Sequence, residues 1–255
     1  MPCMRLVTTK NGTALAALFL FLQILCFFPE GAFAANTSRE RVEEAITVID
    51  ELLSIPEGIP VDLLKTCHGL AIFPNVYKAG FIVGGSYGKG IYVKRNPQTS
   101  RWEGPIFLTI GGGSFGWQIG ITASDLVLVV MNPRGVDAIM RENLSLGGDI
   151  SVAAGPVGRQ FKAGTDITIR SELLAYSRSR GIFAGISLEG TYIHQDYASN
   201  EAFYGGSYTL TEIMAGSATL PPEGKRLLDF LNARIPAGPS PVEPSGSSHP
   251  QRPDL

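Results

Sequence analysis

The chain of 255 residues carries 21 lysine and arginine residues against 23 aspartate and glutamate residues, which gives a formal net charge of −2 at pH 7. This balance excludes a nucleic-acid binder that relies on bulk positive charge. The length is enough for one sizeable hydrophobic core, and no linker-like stretch interrupts residues 35–235. We therefore expect a single domain over residues 35–235.

Residues 1–34 have the pattern of a secretory signal peptide. Arg5 and Lys10 precede the apolar run Thr13–Phe28, and the small residues of an A-x-A cleavage site end at Ala34. We predict cleavage after Ala34 and export, with a periplasmic or cell-envelope location. An uncleaved membrane anchor is the alternative, although the run is short for a span of about 20 residues.

Cleavage would change the cysteine chemistry of the protein. Cys3 and Cys26 would leave with the signal peptide, and Cys67 would remain alone, so we expect no internal disulfide. Cys67 lies between apolar residues in VDLLKTCHGLAIF, which predicts a buried, inert thiol. A reactive nucleophile is the alternative.

Two helices are predicted before the central part of the chain. Thr37–Leu53 has apolar residues at helical spacing, and Thr37 and Glu40 fit a capping box. We expect this helix to pack on its own domain; a membrane-surface helix is the alternative, but its acidic polar face suits an anionic bilayer poorly. A second short helix is predicted at Val61–His68.

The stretch from Ala71 to Asn132 is rich in β-branched residues and glycine, which predicts consecutive strands. A turn is expected at Asn96–Ser100. Because glycine inside a strand marks a bulge, a bend or a close approach, we predict a strongly curved sheet and expect positive φ or close packing at one or more of Gly84, Gly85 and Gly113. The predicted strands are Leu70–Phe73, Ala79–Tyr87, Gly90–Arg95, Pro105–Gly111 with Phe115–Ile121, and Asp125–Met131.

The rest of the chain mixes short helices and strands, and then becomes polar. Residues 236–255 are rich in proline, serine and glycine, which predicts a disordered tail. Extended segments are predicted at Ile150–Ala154, Asp166–Arg170, Glu172–Ser177 and Gly181–Leu188, and helical ones at Arg134–Asn143, Glu189–Tyr197, Thr209–Ala215 and Pro222–Ala233.

Five motifs of this chain resemble the Ysc84-type domain family, also called SYLF. They are AIFPNVYKAGFIVGGSYGKG, GGSFGWQIG, SDLVLVVMN, SVAAGPVGR and AYSRSRGIFAGISLEG, and the resemblance runs from about Arg41 to Phe230. It implies binding of lipid, including phosphoinositides, and some eukaryotic members bind or bundle actin. We identify the chain as a bacterial secreted member, and export argues against actin as its partner. The expected fold is α+β, with a glycine-rich, mainly antiparallel, curved or barrel-like sheet covered by N- and C-terminal helices.

Catalytic and cofactor motifs are weak in this sequence. The glycines from Gly111 to Gly116 fit a dinucleotide fingerprint, but a strand pattern follows them where a helix is required. Cys/His zinc spacing is absent, and Cys67 and His68 are adjacent residues that would diverge on a helix. A His194/Asp196/Ser199 grouping lacks a nucleophile elbow. We therefore expect no enzyme activity, no metal and no cofactor.

Surface cations and aromatic residues are the remaining candidates. Arginine forks suit phosphate oxygens, and tyrosine and tryptophan suit the membrane interface. We predict non-catalytic binding of phospholipid, with phosphoinositide-like or other anionic headgroups, or of a membrane surface; a small-molecule carrier or enzyme with a pocket in the barrel is the alternative. The predicted lipid-binding residues are Lys89, Lys94, Arg95, Trp102, Arg178 and Arg180. Replacing Lys94 and Arg95 together by glutamine is expected to weaken binding without loss of stability.

Overall fold

The computed structural model describes residues 37–55, 58–157, 171–179, 182–183, 188 and 190–238, with the backbone alone at 81–83, 114–120 and 182–183. Several predictions fall outside these residues. They are the signal peptide with its cleavage site, the segment Asp166–Arg170, the residue Arg180, and all but the first three residues of the tail at 236–255. These stay predictions.

The described helices lie at both ends of the domain and in short connections. They are α1 (Ser38–Ser54), α2 (Val61–Thr66), α3 (Pro133–Ile139), α4 (Tyr197–Tyr204), α5 (Leu210–Met214) and α6 (Pro222–Arg234). The capping box predicted at the start of α1 is confirmed, because the Thr37 hydroxyl accepts from the Glu40 amide while the Glu40 carboxylate accepts from the Thr37 amide. The interpretation that α1 packs on its own domain is also confirmed, since its apolar face is buried.

The central stretch forms two long strands, where the sequence predicted five short ones. β1 covers Gly69–Arg95 and β2 covers Trp102–Val130, and the two pair antiparallel along their lengths. The prediction of separate strands is wrong because the register shifts at three points of the ladder instead of ending there. Such bulges bend a strand while pairing resumes on either side. The glycine-rich pattern is therefore typical of one curled ribbon.

The turn predicted at Asn96–Ser100 is confirmed as the connection between β1 and β2. The Asn96 carboxamide oxygen accepts from the backbone amides of Gln98 and Thr99, at 2.8 and 2.9 Å. Asparagine side chains commonly stabilise turns in this way.

Shorter strands extend the sheet from the second edge of β2. They are β3 (Asn143–Leu146), β4 (Val152–Ala154), β5 (Leu173–Ser179), β6 (Ile182–Phe183) and β7 (Thr191–Gln195). The order is β3-β7-β2-β5-β4, with β1 on the other edge of β2 and β6 on β5. All described pairings between these strands are antiparallel except that of β4 with β5. The second edge of β2 pairs with two strands, because β7 pairs with residues 108–112 and β5 pairs with residues 125–130.

The β1–β2 ribbon curls until its two ends meet. The His68 amide donates to the Val130 carbonyl at 2.7 Å, and the Arg95 amide donates to the His68 carbonyl at 2.9 Å. The two halves of β1 also cross closely, since a Cβ at Gly90 would lie 2.3 Å from the Ile72 carbonyl oxygen. The predicted α+β fold, a curved and mainly antiparallel sheet packed against N- and C-terminal helices, is confirmed as a curled half-barrel.

The core fills the space between the sheet and the helices. Ile49 and Leu52 of α1 and Leu227 and Leu231 of α6 are buried against the apolar sides of the central strands. Each such side chain contributes about 1.5–3 kcal/mol on burial, so packing of the two terminal helices is a main source of stability. Cys67 lies in this core, as predicted, and burial raises the pKa of its thiol to about 11.

One other prediction about local structure is wrong, and a second is met at neither of the two positions that can be checked. The segment predicted as helical at Glu189–Tyr197 contains the strand β7, whose residues alternate between buried and exposed as they pair with β2 and β3. The expectation of positive φ or close packing at one or more of three glycines stays a prediction for Gly84. At the other two, a Cβ at Gly85 would only reach ordinary contact, at 3.6 Å, and a Cβ at Gly113 would meet no atom within 4 Å. Neither is at positive φ.

Candidate lipid-binding surface

The structure places the five described candidate residues in three separate regions of the fold. Lys94, Arg95 and Trp102 lie beside the β1–β2 turn, Lys89 lies next to the start of α4, and Arg178 lies where β5 meets β2. They do not converge on one cationic patch. In each region the candidate side chains have different intramolecular partners. These partners determine whether a side chain is available to bind a ligand.

Arg95 and Trp102 hold the β1–β2 turn to the rest of the domain. The Arg95 guanidinium donates to the carbonyl oxygens of Ser100, Leu64 and Ile235, at 3.0, 3.3 and 2.7 Å. It also lies 4.2 Å from the ring centroid of Trp102, a cation–π contact. The Trp102 indole is buried and donates to the Ile235 carbonyl at 3.4 Å. Both side chains are therefore built into the fold.

Lys94 remains partly exposed on the same rung of the ribbon. Its Nζ lies 3.4 Å from a carboxylate oxygen of Glu103, its cross-strand partner. The other oxygen of Glu103 accepts from the Asn96 carboxamide at 2.6 Å. A partly exposed pair of this kind contributes roughly 0–1 kcal/mol, so Lys94 can exchange Glu103 for an external anion at small cost.

Lys89 belongs to a cluster of charges around Asp196, the N-cap residue of α4. The Asp196 carboxylate lies 3.1 Å from the buried Arg41 guanidinium and 3.5 Å from Lys89 Nζ. It also accepts from the Ser199 hydroxyl, at 2.7 Å, and from the Ser199 amide. Burial alone would raise the pKa of Asp196, but the bonds from Ser199 and the two cations outweigh it and lower the pKa. Two cations share one carboxylate, so the cluster carries an excess positive charge.

Arg178 joins the sheet to α1. Its guanidinium pairs with the carboxylates of Glu51 and Asp125, the latter at 3.3 Å. Burial disfavours the charged form, but the hydrogen bonds to the two carboxylates raise the pKa of Arg178 above its usual value. With two carboxylates already at its fork, this arginine is neutralised within the protein.

An exposed apolar pair near the middle of the ribbon was missed by sequence reasoning. Ile121 is 69% exposed and Tyr77 is 41% exposed. The register pairs Tyr77 with Ala123, so Tyr77 and Ile121 are diagonal neighbours on one face. Lys78 follows Tyr77 on the opposite face, where burial lowers the pKa of its amine. Side chains alternate between the two faces of a strand. If β1 and β2 had been predicted as continuous strands, this alternation would have placed Tyr77 and Ile121 on the same face.

Groups considered for catalysis are not assembled as a site. The His194 ring faces the Asn143 carboxamide at 2.5 Å, whereas Asp196 and Ser199 bond to each other. Within the residues that the structure describes, no cluster of histidine, cysteine or carboxylate side chains could hold a metal ion. No helix in the same part of the chain is long and apolar enough to cross a bilayer.

Comparison with known proteins finds one matching family model and several similar curated proteins. The model is described as "Ysc84: Las17-binding protein actin regulator" and matches residues 111–234. "SH3 domain-containing YSC84-like protein 1" of Xenopus laevis is 38% identical over 209 residues, which cover 80% of this chain and 61% of that protein. The Homo sapiens protein of the same name is 36% identical over 176 residues, or 69% of this chain and 51% of its own length.

The similarity extends to fungi. "Protein YSC84" of Saccharomyces cerevisiae is 34% identical over 188 residues, which cover 72% of this chain and 40% of the yeast protein. The chain thus spans about two fifths to three fifths of the length of these curated relatives.

Proposed function

The chain belongs to the Ysc84/SYLF domain family, whose members are lipid-binding and actin-regulating, and from this premise we propose that it is a non-catalytic protein that binds phospholipid or a membrane surface outside the cytoplasm. Family membership is the observation that carries the proposal. The domains of this family are generally binding domains and not enzymes. Anionic headgroups, phosphoinositide-like ones among them, are the proposed ligands.

The described surface offers two kinds of membrane contact that support this proposal. Ile121 and Tyr77 present apolar and aromatic area of the type that enters the interfacial region of a bilayer. Lys94 and Lys89 keep part of their side chains in solvent and can approach phosphate groups. Each basic side chain near an anionic surface contributes about 1 kcal/mol, and salt screens that contribution.

The six candidate residues do not all have the same role in the proposal. Lys89 and Lys94 are proposed to contact headgroups directly, with Arg180 as a further cation, while Arg178 stays paired with Glu51 and Asp125. Arg95 and Trp102 support the turn that follows Lys94. The joint replacement of Lys94 and Arg95 is therefore not a clean test, because the loss of Arg95 removes three hydrogen bonds of the fold.

Vesicle flotation with single variants tests membrane binding. The protein expressed from the full sequence should float with anionic vesicles at low salt and lose binding as salt is added. Lys94→Gln should weaken binding severalfold at an unchanged thermal midpoint, and Ile121→Ser should weaken it at all salt concentrations. Lys65→Gln is the matched control, since Lys65 is also partly exposed and paired with a carboxylate, Asp62, at 3.0 Å.

Two outcomes would contradict the proposal. Equal binding to neutral and anionic vesicles, indifferent to salt, would rule out the electrostatic mechanism. No vesicle binding at all would favour the alternative of a carrier or enzyme with a pocket in the barrel.

Export is proposed from the sequence pattern of residues 1–34. Intact mass spectrometry of the protein recovered outside the cytoplasm should give the mass of a chain that begins at Ala35. Retention in the cytoplasm, or a mature chain that begins at Met1, would refute export and cleavage.

Actin regulation is a second candidate function, because the matching family model is described as an actin regulator. Co-sedimentation with filamentous actin distinguishes the two candidates. Binding to filaments, together with cytoplasmic retention, would favour the actin function over membrane binding outside the cytoplasm.

A further inference from the structure

Two exposed tyrosines flank a glycine on the outer face of the sheet. Tyr87 of β1 and Tyr192 of β7 both pair with Gly111 of β2, one on each edge of that strand. Directly paired residues in antiparallel strands lie on the same face, and these tyrosines are 49% and 46% exposed. We name this arrangement the tyrosine cleft, with Tyr87 and Tyr192 as its walls and Gly111 as its floor.

Packing requires glycine on the inner face of this sheet but not on its outer face. On the inner face, a Cβ at Gly112 would lie 2.7 Å from the Gly190 carbonyl oxygen, so packing inside the protein requires glycine there. On the outer face, a Cβ at Gly111 would meet only the Ser86 carbonyl oxygen, at 3.6 Å, and a Cβ at Gly113 would meet nothing within 4 Å. Glycine weakens a strand, and the protein's own contacts do not require it at the floor of the cleft. Its effect there is to leave room between the tyrosines.

The width of the cleft suits a cation bounded by two aromatic rings. Neighbouring strands lie about 4.8 Å apart, so the tyrosine positions are separated by roughly 9–10 Å across β2. A group held midway is then about 5 Å from each side, within the ~6 Å over which a cation interacts with an aromatic face. Quaternary ammonium groups are recognised in this way by aromatic cages.

A row that contains one lysine borders the cleft. Two residues along each strand, Lys89, Thr109 and His194 form the next row of the same face. Lys89 belongs to the Arg41–Asp196 cluster, in which two cations share one carboxylate. This row therefore complements an anion, at about 6.8 Å along the strands from the tyrosines.

The second wall is held in place by its neighbours. The rings of Tyr192 and His194 lie roughly parallel, with centroids 6.4 Å apart, and His194 contacts Asn143 of β3. A preordered aromatic wall loses less side-chain entropy when a ligand binds.

We propose that the tyrosine cleft binds phosphocholine, with the trimethylammonium group between Tyr87 and Tyr192 and the phosphate at Lys89 and Thr109. The cation and the anion of this zwitterion match the aromatic row and the basic row in sign and order. Either a soluble phosphocholine compound or the headgroup of a choline phospholipid supplies the same chemistry. The inference goes beyond the proposed binding of anionic membranes and does not rest on it.

Calorimetric titration with small ligands tests the chemistry of the site. The protein expressed from the full sequence should bind phosphocholine more tightly than choline chloride, phosphoethanolamine or inorganic phosphate. 3,3-Dimethylbutyl phosphate has the same shape without the positive charge, and it should bind at least fivefold more weakly than phosphocholine. Equal affinity for phosphocholine and this isostere, whose head group lacks the ammonium charge, would overturn the cation–aromatic interaction.

Variants of the walls and floor locate the site. Tyr87→Leu and Tyr192→Leu should each weaken phosphocholine binding at least fivefold, whereas Tyr87→Phe should retain it. Tyr77→Leu, an exposed tyrosine of the same strand outside the cleft, is the matched control and should have no effect. Gly111→Val should abolish binding while the thermal midpoint stays equal or rises, since the floor is open and valine favours strands. Undiminished binding by Gly111→Val would refute the location.

Vesicles distinguish the two sources of the ligand. Preference for phosphatidylcholine over phosphatidylethanolamine vesicles, lost in Tyr192→Leu, would identify the headgroup of a lipid; binding of free phosphocholine alone would identify a soluble source. The protein could bind anionic vesicles equally well in every cleft variant and fail to bind phosphocholine. That result would overturn this inference and leave the proposed membrane function standing. Phosphocholine binding without any binding to anionic vesicles would overturn the proposed membrane function and leave this inference standing.

Discussion

Replacing Arg95 by glutamine should destabilise the whole domain. The guanidinium joins three parts of the chain, since its acceptors are the carbonyl oxygens of Ser100 in the turn, Leu64 in α2 and Ile235 after α6. It also covers the Trp102 ring. Glutamine is shorter and uncharged, so it cannot reach acceptors on both sides of the turn. The substitution would leave carbonyl groups without their donor.

The size of the effect follows from these contacts. A hydrogen bond from a charged donor contributes roughly 1.5–3 kcal/mol to stability, and a partly exposed cation–π contact adds about 0.5–1 kcal/mol. Because the site is only partly buried, water replaces some of the lost donors. We expect a loss of about 3 kcal/mol in the free energy of unfolding, which is a large fraction of the typical 5–15 kcal/mol.

Urea denaturation followed by tryptophan fluorescence measures this loss. With a slope of roughly 1–3 kcal/mol per M, the midpoint should fall by about 1–3 M at unchanged slope. Arg101→Gln is the matched control, because Arg101 is an exposed arginine of the same turn region, and its midpoint should not move. If Arg95→Gln and Arg101→Gln gave the same midpoint as the parent protein, the structural role assigned to Arg95 would be refuted.

Three further predictions follow from buried groups. Asp196→Asn should lower stability at pH 7 by about 3 kcal/mol, because it leaves the buried Arg41 uncompensated. Since the folded-state pKa of Asp196 lies below its unfolded value near ~3.9, its stabilisation is present above that value and is lost as the pH falls through the folded pKa. Urea midpoints at pH 7 and pH 3 should therefore differ less in the variant than in the parent protein, and an equal difference would contradict this assignment. The Cys67 thiol, with a pKa of about 11, should resist a thiol-reactive dye at pH 8 until urea is added; rapid native labelling would show it is accessible. Gly90→Ala should lower the thermal midpoint because its Cβ would clash with a backbone carbonyl, whereas Gly113→Ala should not, and equal midpoints would contradict the inner and outer assignment.

Local patterns predicted the terminal helices α1 and α6, because the causes of these helices lie close together in sequence. The capping box of α1 needs only Thr37 and Glu40, and the apolar face needs only helical spacing. The strands were harder, because a glycine that bends a strand and a glycine that ends one look alike in a single sequence. Whether a glycine bends or ends a strand depends on whether pairing with the neighbouring strand continues beyond it. For β1 that neighbour is β2. The strand β7 was predicted as helical for a related reason, since its alternation of buried and exposed residues depends on two strands distant in sequence.

The roles of the candidate cations depend on partners far along the chain. Arg95 finds acceptors 31 and 140 residues away, and Arg178 finds Glu51 at a separation of 127 residues. Sequence patterns cannot indicate such partners, so these arginines were predicted as surface groups together with Lys94. Lys94 stays partly exposed, and its partner is Glu103 on the neighbouring strand. The residue types were informative about chemistry, but tertiary contacts decide which cations remain available to a ligand.

The closure of the ribbon at His68 and Arg95 has a consequence for the order of folding. A hairpin that zips from its turn forms the Arg95–Trp102 rung first and the Gly69–Val130 rung last. The hydrogen bond between Arg95 and His68 encloses only β1, a much shorter loop than the one the last rung encloses. Since the entropy cost of closing a loop grows with its length, the curl can form before the far end of the ladder is paired. Folding kinetics of variants should then place the contacts of Arg95 early in the transition state and those near Val130 late.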